Sequence, residues 1–355
     1  MQTRLKDVAQ ALGLSISTVN AALRNRKDIS EATRERVFKK AKELNYRPNW
    51  VARSLKMQKT QVLGVVVPDL SRSFFTEVMK GIELFLRGTG YHLVVCSTGE
   101  DPAKEDDEIA AFISKQVDGL IVASANAPEE KKVWQGMVKS GVPLVLVDRY
   151  FEGVPFVGGD DERIGLIATR HLMQQGYRRI AHLREPNIST AIGRYRGYLR
   201  AMHEAKMRVR QDYIVSAEYH NEESGYEGIK QLLALNPRPD AVFAASDPIA
   251  IGAMQALQES GLRLPTDFGV IGVGMHRYGE YLRIPLSTVD QHRTEIGRLA
   301  ASILLGAIDG KPVPTSPVLI EPTLIVRDSS CRIPELDKGP TRSRGTGDGA
   351  RYRSL

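Results

Sequence analysis

Small and apolar side chains recur over residues 4–23 at the spacing of two short helices joined by a tight turn, and this segment constrains the fold most. Ala9 and Gly13 stand where such helices would cross and where the chain would turn, because bulky side chains are excluded there. The apolar seam consists of Val8, Leu12, Leu14, Val19, Ala22 and Leu23. The pattern predicts a helix-turn-helix, although a helical hairpin in an ordinary globular core has the same pattern.

The start of the second helix supplies candidates for contact with the edges of DNA bases. Ser15 is predicted to cap this helix through its side-chain oxygen. Ile16, Ser17, Asn20 and Ala21 then lie on the exposed N-terminal part. An asparagine amide pairs bidentately with adenine, and an apolar side chain contacts the methyl group of thymine. The sequence therefore predicts a helix that reads duplex DNA.

Positive charge is concentrated at the two ends of the chain. The formal net charge is +7 overall, but residues 1–60 alone hold 14 Lys and Arg against 5 Asp and Glu, a net charge of +9. Residues 331–355 add +3, so residues 61–330 are mildly acidic, with a net charge of −5. Because phosphate binding requires clustered cations, the N-terminal segment is the expected contact with nucleic acid.

A third helix and a short linker helix complete the predicted head. Ser30 is expected to cap a helix over residues 31–44. Its apolar side chains are predicted to close a three-helix core: Val37, Phe38, Ala41 and Leu44. After Pro48, residues 49–56 suffice for about two turns, too few for a helix that is stable alone in water. Leu55 is predicted to insert into a minor-groove step and kink the DNA; the alternative is packing onto the body.

From Arg4 to about Ser330 the chain resembles the lactose-repressor (LacI/GalR) family of bacterial transcriptional regulators. The matched residues are Asp7-Val8-Ala9, Gly13-Leu14-Ser15, Thr18-Val19, Ser30, Thr33-Arg34-Glu35-Arg36-Val37, Tyr46-Arg47-Pro48-Asn49 and Ala52-Arg53-Ser54-Leu55. The predicted DNA-binding residues are Ser15, Ile16, Ser17, Thr18, Asn20, Ala21, Arg24, Asn49, Ala52, Arg53, Leu55 and Lys56. The head departs from the family pattern twice. The family usually has serine-arginine at Asn20-Ala21 and leucine-asparagine at Leu23-Arg24, so we expect an operator that differs from the family consensus.

Residues 61–330 alternate short β-branched runs with helical stretches, which is typical of parallel sheets in α/β lobes. The predicted strands are 62–67, 92–96, 119–123, 143–147, 179–183, 241–245 and 269–272. The predicted helices are 74–87, 104–115, 129–139, 163–175, 192–206, 222–235, 249–259 and 293–307. The predicted fold is thus an all-α helix-turn-helix head with a hinge helix, followed by a two-lobed α/β body of parallel sheets like that of periplasmic binding proteins.

The predicted domains are a helix-turn-helix at 1–47, a hinge helix and linker at 48–60, a two-lobed effector-binding and dimerisation domain at 61–330, and a disordered tail at 331–355. Lobe 1 is assigned residues 61–160 and 290–317, and lobe 2 residues 161–287 and 318–330. The family resemblance implies that the chain crosses between the lobes near Asp160, near 287–291 and near 318–321.

Open α/β sheets bind ligands beyond the carboxyl ends of their strands, which draws attention to Asp148 and Asp247. Carboxylates there accept hydrogen bonds from sugar hydroxyls or a purine edge. The resemblance implies an effector cleft with these residues at or near its lining: Phe74, Asp148, Phe156, Arg194, His220, Ser246, Asp247 and Gln291. For each residue the alternative role is a helix cap, a surface ion pair or core packing.

Two departures concern the cleft. Many family members carry an aspartate after Gly272-Val273, where this chain has Gly274, and asparagine-proline where it has Arg72-Ser73. Either the effector is unusual, or the body responds to a protein partner, or it responds to no small molecule.

Other classes of function fit the sequence poorly. Two cysteines allow neither a disulfide framework nor a zinc cluster, and the seven histidines lack metal-ligand spacing. We therefore expect no catalytic residues, no metal and no cofactor. Neither a signal peptide nor a run of 18 apolar residues is present, which disfavours a secreted sugar-binding protein. A cytoplasmic sugar-binding protein without DNA function remains an alternative.

The last residues bear on assembly. Residues 332–355 are rich in Gly, Arg, Ser and Thr and have only two leucines, so they cannot form a tetramerising coiled coil. We expect a homodimer that binds a two-fold DNA site. The resulting hypothesis is a cytoplasmic, nucleoid-associated transcriptional regulator, most simply a repressor, controlled by a sugar or related metabolite.

Overall fold

The N-terminal segment folds as three helices around its own small core. The structure, a computed structural model, describes residues 3–23, 25–26, 28–46, 59–126, 141–185, 188–217 and 221–332. The head contains α1 (Leu5–Leu12), α2 (Ile16–Leu23) and α3 (Glu31–Glu43). Gly13 ends α1 with a φ of 64°, a left-handed conformation that glycine adopts without strain.

The predicted core of the head is confirmed with one exception. Val8, Val19 and Val37 are fully buried, and Ser30 caps α3 by accepting a hydrogen bond from the Thr33 backbone N–H at 3.3 Å. Phe38, however, is 43% exposed, so its predicted place in the core is wrong. The buried positions of α3 are Val37 and Ala41, and a residue adjacent to Val37 is rotated about 100° away from that face.

The body follows in chain order as alternating strands and helices. The strands are β1 (Val62–Val67), β2 (His92–Ser97), β3 (Gly119–Val122), β4 (Leu144–Val147), β5 (Phe156–Gly159), β6 (Ile180–Arg184), β7 (Ile214–Ser216), β8 (Ala241–Ala244), β9 (Gly269–Val273), β10 (Ser287–Asp290), β11 (Val318–Ile320) and β12 (Thr323–Ile325). The helices are α4 (Ser73–Leu86), α5 (Pro102–Ser114), α6 (Asp161–Gln174), α7 (Ser189–Glu204), α8 (Glu222–Leu233), α9 (Asp247–Glu259) and α10 (Arg293–Ile308).

These strands form two sheets, one in each lobe. The sheet of lobe 1 has the order β11-β5-β4-β3-β1-β2 and is parallel throughout. The sheet of lobe 2 has the order β12-β10-β9-β8-β6-β7 and is parallel except for the edge strand β12, which runs antiparallel to β10. Buried apolar side chains cover both faces of each sheet, which explains why most strands read as continuous apolar runs.

The chain passes between the lobes three times, between β5 and α6, between β10 and α10, and between β11 and β12. The prediction that residues 318–330 belong to lobe 2 is therefore wrong for residues 318–320. Val318–Ile320 pair in parallel with Val157–Gly159 and so complete the sheet of lobe 1. Similarly, β10 pairs with β9 and extends the preceding segment of lobe 2 to Asp290.

Three helix pairs in the body pack with a glycine on each partner. A Cβ on Gly81 of α4 would lie 2.0 Å from the Thr294 carbonyl oxygen of α10. The pair of α6 and α7 has the same arrangement through Gly165 and Gly197, and the pair of α8 and α9 through Gly225 and Gly252. These glycines let the helix backbones approach more closely than any side chain would allow.

Candidate functional site

The exposed N-terminal part of α2 carries the predicted base-reading residues. The Thr18 backbone N–H donates to Ser15 Oγ at 3.0 Å, so the predicted cap is present. Ile16 is 53% exposed, Ser17 is exposed, and Asn20 and Ala21 are partly exposed. Val19 and Ala22 on the opposite face are buried. A face with an apolar side chain, a hydroxyl and an amide is thus held outward by a packed core.

Part of the predicted DNA contact lies outside the described residues. The predicted DNA contacts that lie outside them are Arg24, Asn49, Ala52, Arg53, Leu55 and Lys56. The hinge helix, the tail from residue 333 and the predicted helix at 129–139 also lie outside them.

A cleft of about 280 Å³ lies between the two lobes, beyond the carboxyl ends of their strands. Four of the predicted effector residues line it: Phe74, Asp148, Arg194 and Gln291. Ser246 and Asp247 are buried at the N-terminus of α9, directly behind the lining residue Pro248. His220 lies outside the described residues.

Phe156 does not line the cleft, which corrects its predicted role. Its ring packs in the core between the sheet of lobe 1 and α5, with 3% of the residue exposed. A Cβ on Gly158 would lie 2.3 Å from Phe156 Cζ, so the ring lies directly over the glycine two positions along the same strand. Phe156 therefore serves packing.

Asp247 organises the loop that follows β9. Its carboxylate accepts hydrogen bonds from Thr288 Oγ1 at 2.6 Å and from the His276 backbone N–H at 2.8 Å. Burial raises the pKa of this carboxyl, although both hydrogen bonds oppose the rise. Gly272 leaves space for the side chain, because a Cβ there would lie 2.4 Å from Asp247 Oδ1. Asp247 thus fixes the position of His276 at the cleft.

Arg194 reaches the cleft from α7 with most of its guanidinium already engaged. Nε donates to Asp161 Oδ1 at 3.0 Å, and Nη1 donates to the Ala245 carbonyl oxygen at 2.7 Å. Burial alone would lower the pKa of Arg194, but neighbouring carboxylates outweigh it, so this pKa lies above its usual value. Burial raises the pKa of Asp161 to about 7, against the pull of Arg194. The ion pair of Arg194 and Asp161 therefore stabilises the fold and also lies beside the cleft.

A second, largely buried ion-pair network forms the lobe 1 wall. Glu100 Oε1 accepts from Arg149 Nη2 at 2.8 Å and from Arg72 Nη1 at 2.6 Å. Arg149 Nη1 also donates to the Ser124 carbonyl oxygen at 2.7 Å. The preceding residue, Asp148, has a φ of 65°. Arg72, a departure from the family pattern, is thus tied to the wall by a carboxylate.

The lobes touch each other at the cleft through residues that sequence reasoning missed. Ser73 Oγ of lobe 1 lies 3.1 Å from Nε2 of His276 in lobe 2. Arg293 of lobe 1 donates to Ser73 Oγ at 3.0 Å and to the Met275 carbonyl oxygen of lobe 2 at 2.9 Å. The only signal in the sequence for the position of Arg293 is that it lies two residues after Gln291, where the chain crosses between the lobes.

Two other kinds of site are absent from the described part of the chain. No group of three or more His, Cys, Asp or Glu there has an arrangement that would hold a metal ion. No helix among those residues has the length and apolar character needed to cross a membrane.

Comparison with known proteins identifies both parts of the chain. Residues 4–49 match the model of bacterial regulatory proteins of the lacI family, and residues 169–330 match a periplasmic binding protein-like domain. The ribose operon repressor of Haemophilus influenzae is 34% identical over 329 residues, which cover 92% of this chain and 98% of that protein. The HTH-type transcriptional repressor PurR of Pectobacterium carotovorum is 33% identical over 350 residues, which cover 94% and 98% of the two chains.

Solved structures agree with this assignment. A LacI-family transcriptional regulator from Silicibacter pomeroyi is 30% identical, with a TM-score of 0.76 over 93% of this chain and 100% of that one. A lac repressor dimer bound to operator and the anti-inducer ONPF is 24% identical, with a TM-score of 0.84 over 94% and 100% of the chains, and it supports the fold alone. With the DNA-reading helix and the interlobe cleft in one chain, this protein belongs to the lacI family of bacterial regulatory proteins and is a DNA-binding transcriptional repressor controlled by a small molecule.

Proposed function

We propose that this repressor binds a two-fold operator as a homodimer in the cytoplasm, and that a sugar or related metabolite in the interlobe cleft sets its affinity for DNA. The observation that carries the proposal is the exposed face of α2, where Ile16, Ser17 and Asn20 project from a packed three-helix head. A dimer matches this face to two half-sites of a palindrome.

Coupling between the cleft and the head follows from the way the lobes are joined. The cleft is lined by both lobes, and they are linked by three crossings of the chain. A ligand that binds one lobe arrangement more tightly shifts the population toward it. In the proposed mechanism this arrangement sets the spacing of the two hinge segments at 49–56 and so permits or prevents insertion of Leu55 into the operator. Effector and operator affinities are then linked by one coupling free energy.

Selection of bound sequences from a random duplex pool at physiological salt tests the proposal. We expect a palindromic site to be enriched, because each protomer of a dimer presents one α2. Enrichment of no sequence over random duplex would contradict sequence-specific binding and favour a binding protein without DNA function.

The selected site then allows a test of α2 itself. Asn20→Ala should weaken binding about 5- to 150-fold, because a bidentate base contact contributes about 1–3 kcal/mol of discrimination. Gln10→Ala is the matched control, since Gln10 is an exposed amide side chain on α1. Equal effects of the two substitutions would remove Asn20 from the base contacts.

A further inference from the structure

Arg293 is a buried cation at the cleft whose charge no neighbouring carboxylate neutralises directly. It is the first residue of α10, lines the cleft and is 7% exposed. Its two terminal nitrogens donate to neutral acceptors, Ser73 Oγ and the Met275 carbonyl oxygen. Within the described part of the chain it takes part in no salt bridge. A buried charge without a paired counter-charge is unfavourable.

The other arginines that line the cleft differ in this respect. Arg72 and Arg149 share Glu100, and Arg194 pairs with Asp161. Burial lowers the pKa of Arg293, and the more distant carboxylates of Asp247, Asp290 and Glu77 only partly offset it. The chain therefore supplies a paired carboxylate to Arg72, Arg149 and Arg194. Arg293 lines the cleft without one.

The surroundings of Arg293 are suited to an oxyanion. The Ser73 hydroxyl and the His276 imidazole lie beside it, and Gln291 contributes an amide to the same cleft. The α4 and α10 helices both begin at this point, with Ser73 and Arg293 as their first residues, so the positive ends of two helix dipoles are directed at it.

The carboxylates that line the rest of the cleft favour a ligand with hydroxyl groups. Asp69, Asp148 and Glu222 also line the cleft, and carboxylates accept hydrogen bonds from the hydroxyls of a polyol. The volume of about 280 Å³ lies just below the usual range for ligand pockets. A monosaccharide-sized ligand is appropriate to this space.

We propose that the effector is a monosaccharide-sized polyhydroxy compound with one oxyanion group, a carboxylate or a phosphate, which pairs with Arg293. This inference rests on the proposed role of the cleft as the effector site. The geometry that carries it is the juxtaposition of an unpaired buried guanidinium with Ser73 and His276 across the two lobes.

Calorimetric titration of the full chain with matched sugars tests the proposal. The probes are D-glucose, D-glucuronate, D-gluconate and D-glucose 6-phosphate, with the corresponding galactose series. We expect at least one acidic member to bind at least 10-fold more tightly than its neutral parent, and the carboxylate and phosphate arms identify which oxyanion is recognised. Failure of every acidic member to exceed its neutral parent would overturn the proposal.

Variants of α10 assign the effect to one side chain. Arg293→Gln should weaken the acidic ligand about 10- to 100-fold while changing the affinity of the neutral parent little, as loss of a charge-assisted hydrogen bond predicts. Arg293→Lys should retain part of the preference for acid, which separates charge from a folding defect. Arg298→Gln is the matched control, because Arg298 is exposed on the same helix and pairs with Glu295.

The outcomes separate the two proposals. A neutral sugar that alters operator affinity and binds the wild-type chain more tightly than every acidic probe would refute the oxyanion inference and leave the cleft as the effector site. Loss of operator selection by the wild-type chain would instead refute the proposed function, whatever the ligand titrations give.

Discussion

Replacing Arg194 by alanine tests whether its guanidinium stabilises the fold in addition to lining the cleft. The side chain is nearly inaccessible and pairs with Asp161 at 3.0 Å and with Glu185 at 3.7 Å. Glu185 is itself 1% exposed. The substitution removes this guanidinium from the largely buried carboxylate of Asp161 and from the buried carboxylate of Glu185, and breaking a buried pair in this way costs about 3–5 kcal/mol. We therefore expect Arg194→Ala to lower the free energy of unfolding by about that amount.

A double substitution separates the charge effect from lost packing. Asn at position 161 needs no cation, so Asp161→Asn in the Arg194→Ala background should recover about 1–3 kcal/mol, within the range of coupling between contacting residues. Urea denaturation of the full chain, followed by far-UV circular dichroism, measures the difference. Arg200→Ala is the matched control on the same helix, because Arg200 forms only exposed ion pairs with Glu162 and Glu204.

Two results would refute this reasoning. Arg194→Ala that is as stable as Arg200→Ala would show that the buried carboxylates do not depend on the guanidinium. A double variant that is no more stable than Arg194→Ala alone would attribute the loss to packing.

Three further changes have expected outcomes. Burial lowers the pKa of His182 to about 4 from its usual value of about 6.5, so the unfolded chain binds its proton first and stability is lost as pH falls from 6.5 toward 4. His182→Gln should reduce this acid-induced loss of stability by about 3 kcal/mol, as measured by urea denaturation at a series of pH values. An unchanged pH dependence would contradict the assignment of the loss to His182. Gly197→Ala should lower stability by about 1–3 kcal/mol, because a Cβ there would lie 2.0 Å from the Glu162 carbonyl oxygen; an unaltered urea midpoint would show that α6 and α7 can separate freely. Leu55→Ala should reduce operator bending in a circular-permutation assay while leaving effector affinity nearly intact, and unchanged bending would remove Leu55 as the inserted side chain.

The sequence predicts seven of the described strands and misses five short ones: β5 and β10 inside the sheets, and β7, β11 and β12 at their edges. Residues 62–67 were predicted as a strand from their continuous β-branched run, and β1 has those bounds. By contrast, β7, β11 and β12 have three residues each. Segments this short carry no periodicity, and their conformation is set by the partner strand, which explains why they were missed and why residues 318–320 were assigned to the wrong lobe.

The cleft was predicted in outline because the carboxyl ends of parallel strands fall at one edge. Asp148 follows a predicted strand and does line the cleft. Phe156 was misplaced because nothing local distinguishes a ring that lies over Gly158 from one that faces a ligand. Ser73 and His276 are 203 residues apart, and their contact depends on how the two lobes close, which no local pattern contains.

The three crossings between the lobes have a consequence for synthesis of the chain on the ribosome. Among the described residues the core of the head comes from residues 5–46 alone, so the head can fold as soon as that segment emerges. The sheets of the body cannot be completed until β11 and β12 at 318–325 have been made, because each lobe takes its last strand from there. A nascent chain therefore presents a finished DNA-reading head long before it has a complete interlobe cleft, and any truncation before residue 325 would leave that head on an incomplete body.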